Sequence, residues 1–150
     1  MQTQNENSNL HFELIDPETA LFTHKIKGLV TLFYENEKPL QGLVGKIDWF
    51  FHGDVSRFIR KGVLTGKEGE CVYFPIQRPG HTYHLILLGA GSNPEPGSRK
   101  RIPPKCIEVL KRNLKTLRLS RIGLSLSDFG SLTEPQLKKN FEGTPIWITH

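Results

Sequence analysis

A glycine-rich stretch in the middle of the chain has the residue types of a phosphate-binding loop. It runs from Gly62 to Glu70 and reads Gly-Val-Leu-Thr-Gly-Lys-Glu-Gly-Glu. A phosphate-binding loop needs four residues between its first glycine and its Gly-Lys pair, and then a hydroxyl that binds Mg²⁺. Here only three residues intervene, and Glu68 stands at the hydroxyl position, where its carboxylate would repel a phosphate. The spacing therefore argues against nucleotide hydrolysis.

The same glycines predict a turn from a helix into a strand. Gly62 and Gly66 allow positive φ angles, and Gly69 lets the chain turn tightly into the strand that follows. In this interpretation Lys67 and Glu68 are solvent-facing turn residues that bind nothing.

The histidines and cysteines do not have the spacing of a metal site. His81-x-x-His84 spans a predicted turn and strand and has no carboxylate beside it, so we expect a structural or solvent-exposed pair. Cys71 and Cys106 lie among apolar neighbours, which predicts buried free thiols and a reducing compartment, most simply the cytoplasm. Because no nucleophile motif is present either, we expect no catalytic residue, no metal and no cofactor.

The length and the overall composition predict one soluble domain. The chain has 150 residues, of which 37% are hydrophobic and 23% charged. Residues 1–9 are polar, lack a secretory signal and are expected to form a flexible tail, so residues 10–150 form the domain. The apolar runs are too short to cross a bilayer, and we expect no membrane partner.

Positive charge is concentrated in the second half of the chain. Residues 1–75 carry a net charge of −2 and residues 76–150 a net charge of +7. The helix predicted over Lys105 to Arg118 has a basic face, which is a candidate surface for nucleic acid. The alternative is the solvated side of an amphipathic helix, since aromatic residues for base stacking are absent from this face. Its residues are Lys111, Arg112, Lys115 and Arg118.

Strands alternate with helices along the chain, which indicates an α/β layer architecture. A turn over Gln77 to Gly80 predicts a hairpin, and therefore a mixed rather than a purely parallel sheet. Predicted strands cover residues 11–15, 25–33, 71–76, 83–88, 122–126 and 145–149, and predicted helices cover residues 39–50, 54–61, 105–118 and part of 131–141.

Four blocks in this order resemble the N-terminal domain of the leucyl aminopeptidases, peptidase family M17. They are Ile47-Asp48, Gly53-Asp54-Val55-Ser56, Lys61 to Glu70, and Leu85 to Gly91, within a resemblance that covers residues 25–126. The resemblance implies a three-layer α/β/α domain related to macrodomains, with a mixed sheet of about six strands. It also places the metal ions and catalytic residues of the family in a separate C-terminal domain, whose signature this chain lacks.

The resemblance therefore implies a non-catalytic accessory, binding or regulatory domain, and not an enzyme in the chain as given. Its partner would be a second copy or a catalytic protein in trans. A macrodomain relation also implies a second possibility, which is a nucleotide or ADP-ribose ligand at the loop after residue 88. Ligands of open α/β sheets lie beyond the carboxyl ends of strands. The alternative is a proline-stiffened connection. The candidate anion-binding residues are Gly89, Gly91, Ser92, Arg99, Lys100 and Arg101.

Overall fold

The structure is a computed structural model that describes residues 10–12, 15–95, 102–141 and 146–149. Over these ranges, strands and helices alternate along most of the chain. In chain order the elements are β1 (Leu10–Phe12), α1 (Pro17–Phe22), β2 (Gly28–Phe33), α2 (Gly42–Phe50), α3 (Asp54–Arg60), β3 (Cys71–Arg78), β4 (His81–Gly89), α4 (Pro104–Leu117), β5 (Ile122–Ser125), α5 (Leu126–Phe129), α6 (Glu134–Asn140) and β6 (Ile146–Thr149).

The strands form one mixed sheet in the order β1-β6-β5-β2-β4-β3. Strand β3 is antiparallel to β4, and the other neighbouring strands are parallel. The predicted hairpin and mixed sheet are thereby confirmed. Pro75, which has no N–H to donate, lies in the edge strand β3, where the side of the strand away from β4 needs no ladder hydrogen bond.

Helices cover both faces of the sheet, which confirms the predicted three-layer arrangement. On one face, α1, α2 and α3 bury side chains such as Leu21, Ile47 and Val55 against β2 and β4. On the other face, α4 packs beside Phe129 of α5 and Leu137 of α6. All six residues of β2 are buried because this strand lies in the middle of the sheet, between the two helical layers.

The amphipathic helix α4 has the predicted register. Its buried face carries Cys106, Ile107, Leu110 and Leu114, and it buries none of its basic residues fully. The helix ends where Arg118 adopts a left-handed conformation with φ 51°.

Three features differ from the sequence predictions. No helix is predicted between the first two strands, but α1 occupies Pro17–Phe22, because proline in the first turn of a helix is favourable. Helix α2 begins at Gly42 and not at Pro39, which lies in the preceding turn. The short helix α5 was not predicted.

In the ranges that the structure describes, every helix is too short or too polar to span a bilayer.

Candidate functional site

The glycine-rich turn packs against the carboxyl ends of β2 and β4. The N–H of Gly91 donates to the carbonyl of Gly66 at 2.8 Å, and the N–H of Gly89 donates to the carbonyl of Glu70 at 2.7 Å. A Cβ atom on Gly89 would lie 2.4 Å from the carbonyl oxygen of Lys67, so the turn and the strand end touch backbone to backbone. The turn therefore fills the space beyond these two strand ends.

Glu70 organises this turn from within. Its carboxylate accepts hydrogen bonds from the Thr65 N–H at 2.9 Å, the Thr65 hydroxyl at 2.6 Å and the Gly66 N–H at 3.1 Å. Partial burial opposes ionisation of Glu70, but these three hydrogen bonds and the nearby Lys67 together hold its pKa below the ordinary value. The positive φ angles expected of the turn glycines are confirmed, at 75° for Gly62, 84° for Gly66 and 86° for Gly69.

Three of the candidate anion-binding residues in the loop after β4 make hydrogen bonds to protein groups. Gly89 and Gly91 are buried, and their N–H groups donate to the carbonyls of Glu70 and Gly66. Ser92 is exposed and donates to the carboxylate of Glu35 at 2.9 Å. Arg99, Lys100 and Arg101 lie outside the described residues, so their role in binding an anion stays a prediction.

An asparagine pair ties the same loop to the end of β2. The Asn36 amide donates to the Asn93 carbonyl at 2.7 Å, and the Asn93 N–H donates to Asn36 Oδ1 at 2.8 Å. Asn93 is buried. On the side where β2 and β4 are neighbours, their carboxyl ends are therefore closed by protein atoms, which come from the turn and from this pair.

The carboxyl ends of β2 and β5 border an open crevice. From β2 the chain continues to α2 on one face of the sheet, and from β5 it continues to α5 and α6, whose buried side chains lie on the other face. Such a reversal of direction is where open α/β sheets bind ligands. We call this space, of about 350 Å³, the β2–β5 crevice. Its lining residues are Asp16, Pro17, Glu18, Gly42, Leu43, Lys46 and Ser127.

The β2–β5 crevice combines carboxylates with one ammonium group. Lys46 Nζ lies 3.7 Å from one carboxylate oxygen of Glu18, and the other oxygen is buried without a hydrogen-bond partner among the described residues. The Ser127 hydroxyl lies 2.7 Å from that of Ser125. The residue after Ser127, Asp128, is buried, and its carboxylate accepts the Leu32 N–H at 3.1 Å, beyond the last paired residue of β2 and β5. The crevice can thus offer both donors and acceptors to a polar ligand.

Sequence reasoning missed this crevice because it applied the strand-end rule to β4. The rule requires the order of the strands in the sheet, and the adjacency of β2 and β5 joins residues about 90 positions apart. Asp16 and Glu18 gave a usable signal, since carboxylates beside a proline mark the first turn of a helix, and this helix begins at the crevice.

The basic face of α4 is partly exposed. Arg112, Lys115 and Arg118 are exposed, whereas Lys111 is half-buried and lines a groove of about 450 Å³ between α4 and α6. Glu108 lines the same groove and lowers its net positive charge. The nucleic-acid role of this face therefore stays a prediction.

His81 and His84 point to opposite faces of β4, because side chains three residues apart in a strand alternate. His81 packs against the ring of His24 with centroids 4.0 Å apart, whereas His84 is hydrogen-bonded through Nδ1 to the Tyr73 hydroxyl. Burial, His81 and Lys27 lower the pKa of His84. Within the described residues no three histidines, cysteines or carboxylates are grouped to hold a metal.

Both cysteines are free thiols, as the sequence predicted, but Cys71 is half-buried and not buried as expected. Cys106 is buried and its Sγ contacts the carbonyl oxygen of Gly89 at 3.2 Å. Burial, assisted by the neighbouring Cys106, raises the pKa of Cys71 to about 11. Neither thiol therefore has the character of a catalytic nucleophile.

The order of the strands and the two helical layers define a macrodomain-like α/β domain. The model for the cytosol aminopeptidase family, N-terminal domain, matches residues 29–141. The chain belongs to this family, and the match confirms the resemblance noted in the sequence. A comparison with curated proteins finds no match.

Solved structures of macrodomain proteins and of a leucine aminopeptidase share the fold. The macrodomain of Mycobacterium tuberculosis DarG superposes with a TM-score of 0.66 at 13% identity, over 93% of this chain and 96% of that chain. Thermosipho africanus DarTG in complex with ADP-ribose gives a TM-score of 0.61 at 14% identity, over 93% of this chain and 41% of that chain. A leucine aminopeptidase variant from tomato gives 0.58 at 11% identity, over 100% of this chain and 34% of that chain.

Proposed function

We propose that this chain is a non-catalytic accessory domain that binds or regulates a partner and is not itself a peptidase. The observation that carries the proposal is the family match, which assigns residues 29–141 to the N-terminal domain. The tomato enzyme supports it, because this chain corresponds to about a third of that chain's length.

Peptidase activity provides the direct test. The chain is incubated with leucyl-anilide and either Mn²⁺ or Zn²⁺, beside a full-length leucine aminopeptidase as a positive control. We expect no metal-dependent release of the aniline from this chain. Turnover that requires the metal and scales with the concentration of the chain would overturn the proposal.

A second candidate function is nucleotide binding in the β2–β5 crevice. Two observations favour it, the position of the crevice at the reversal of chain direction and the ADP-ribose bound to the structurally similar Thermosipho africanus protein. Lys46 is suited to a phosphate, and the carboxylates of Asp16 and Glu18 are suited to ribose hydroxyls or a base amino group. This assignment moves the predicted ligand site from the loop after β4 to the crevice.

Calorimetry with ADP-ribose tests this second function. If the crevice binds the ligand, Glu18→Gln is expected to weaken binding about tenfold, which corresponds to the loss of one charge-assisted hydrogen bond. Glu134→Gln is the matched control, since Glu134 is an exposed carboxylate on α6 that pairs with Lys138 at 3.2 Å. An absence of heat at millimolar ADP-ribose, or an equal effect of both variants, would contradict the assignment.

A further inference from the structure

Basic residues gather at the amino-terminal end of the central strands, which is the end away from the β2–β5 crevice. Lys27 and Arg121 directly precede β2 and β5, and the Lys27 N–H donates to the Arg121 carbonyl at 2.9 Å. The Lys27 carbonyl in turn accepts the N–H of His84, in β4, at 3.2 Å. The backbone therefore holds these three residues side by side across three neighbouring strands.

Two further histidines belong to this group. The ring of His24, in the turn that leads into β2, packs on the ring of His81 with centroids 4.0 Å apart. Lys27 lies close enough to act electrostatically on the rings of both His81 and His84. We call the surface formed by His24, Lys27, His81, His84 and Arg121 the amino-end rim.

The charges of the amino-end rim lack protein partners in the described ranges. Lys27 and Arg121 are exposed, and neither forms an ion pair with a described carboxylate. Burial lowers the pKa of His81, and the neighbouring His24 and Lys27 lower it further. The buried Nε2 atom of His81 has no hydrogen-bond partner among the described residues, so a proton on it has no protein acceptor there. The rim thus gains uncompensated positive charge as the pH falls.

Left-handed backbone turns hold basic residues at this end of the sheet. His24 has a φ angle of 62°, Arg121 has 54°, and Arg118, three residues before Arg121, has 51°. This conformation is uncommon for residues other than glycine. Backbone conformations of this kind are concentrated at ligand-binding sites, where the surrounding structure fixes them. The turns therefore support a binding role for the amino-end rim.

We propose that the amino-end rim binds a small anion with several linked phosphates, which is either a free polyphosphate or the triphosphate of a nucleotide. Phosphate oxygens accept strong hydrogen bonds from ammonium, guanidinium and imidazolium groups. Neighbouring strands are about 4.8 Å apart, so the ends of β5, β2 and β4 span about 10 Å. This width suits a chain of phosphates better than a single phosphate or carboxylate. A metal ion, the other common ligand of paired histidines, would be repelled by Lys27.

Binding at the amino-end rim is coupled to protonation. A bound phosphate chain supplies the negative charge that the protonated ring of His81 lacks, so the complex takes up protons. The remaining groups around this ring do not replace the ligand. Tyr83, at a centroid distance of 4.5 Å, is neutral at neutral pH. Arg78, which is opposite His81 in the hairpin, is paired with Asp54 at 3.5 Å.

Calorimetry of the full chain with tripolyphosphate tests the proposal. We expect binding at about pH 6 to be about fivefold tighter than at about pH 8, the effect of about one additional protonated histidine in the complex. The probe itself loses negative charge as the pH falls, so the gain must come from the protein. ATP should compete for the same site. Tighter binding of ATP than of tripolyphosphate would identify a nucleotide as the ligand, and equal or weaker binding would identify a free polyphosphate.

Two pairs of variants locate the site. Lys27→Gln should weaken binding about tenfold through the loss of one charge-assisted hydrogen bond, whereas Lys38→Gln, an exposed position after the carboxyl end of β2, should not. His24→Asn should remove most of the pH dependence, and His52→Asn should retain it. Both histidines are exposed, with φ angles of 62° and 57°, and asparagine tolerates this conformation.

Circular dichroism checks that each variant retains the fold. An absence of heat with millimolar tripolyphosphate, equal effects within either pair of variants, binding that tightens as the pH rises, or a failure of ATP to compete would overturn the proposal. None of these results would affect the ADP-ribose assignment, because Lys46 borders the crevice at the other end of the strands.

Discussion

Two glycines of the same turn should differ sharply in their tolerance of alanine. Gly62 and Gly66 both have positive φ angles, 75° and 84°. A Cβ on Gly62 would meet nothing within 4 Å, whereas a Cβ on Gly66 would lie 2.7 Å from the Glu35 nitrogen and 2.9 Å from its Cα. Gly66→Ala therefore adds a backbone collision to the conformational cost that the two substitutions share.

The expected losses in unfolding free energy follow from these distances. The left-handed conformation costs an alanine about 1 kcal/mol at either position. Overpacking against backbone adds about 1–3 kcal/mol, since Glu35 cannot move without disturbing its own hydrogen bond to Gly91 at 3.0 Å. We expect a loss of about 1 kcal/mol for Gly62→Ala and about 2–4 kcal/mol for Gly66→Ala. At about 2–4 °C per kcal/mol for a domain of this size, the melting temperatures should separate by several degrees.

Urea unfolding followed by circular dichroism measures both losses in the same buffer. Gly80→Ala, at the β3–β4 turn, is a further control, because its φ is 76° and a Cβ there would also meet nothing within 4 Å. If Gly66→Ala lowers the unfolding free energy no more than the two controls, then Gly66 does not pack tightly against Glu35. The conclusion that the turn closes the carboxyl end of β2 would then be wrong.

Three further predictions concern chemistry and charge. Cys71, with its pKa raised to about 11, should react with a maleimide at pH 8 about 100-fold more slowly in the folded chain than in the unfolded chain. The pKa of the His84 ring, measured by NMR, should lie below its ordinary value of 6.5. Because the folded state disfavours the protonated ring, the unfolding free energy should be unaffected by His84 above pH 6.5 and should fall as the pH drops from there towards the folded pKa. If α4 binds duplex DNA, Lys115→Glu should abolish the gel shift while Arg60→Glu on α3 should not, and wild-type binding should weaken steeply with salt.

The local elements could be predicted because their signals are short-range. The apolar positions of α4 recur at helical spacing, and the buried half of β4 is a continuous apolar run. The hairpin between β3 and β4 needed only a two-residue turn. By contrast, the three-residue spacing of Ile47 and Phe50 predicts that both lie on the buried side of α2, but Phe50 is 42% exposed. Helical spacing does not show where the layer that covers a helix ends.

The candidate site could be predicted only in part because it depends on strand order. The conformational role of the turn glycines followed from their lack of a Cβ atom, and the φ angles of Gly62, Gly66 and Gly69 confirm it. The close approach of Gly66 to Glu35 could not be predicted, because the two residues belong to different segments and no sequence pattern shows that these segments are in contact. The crevice likewise forms because β5 adds to the sheet beside β2, which is a long-range pairing.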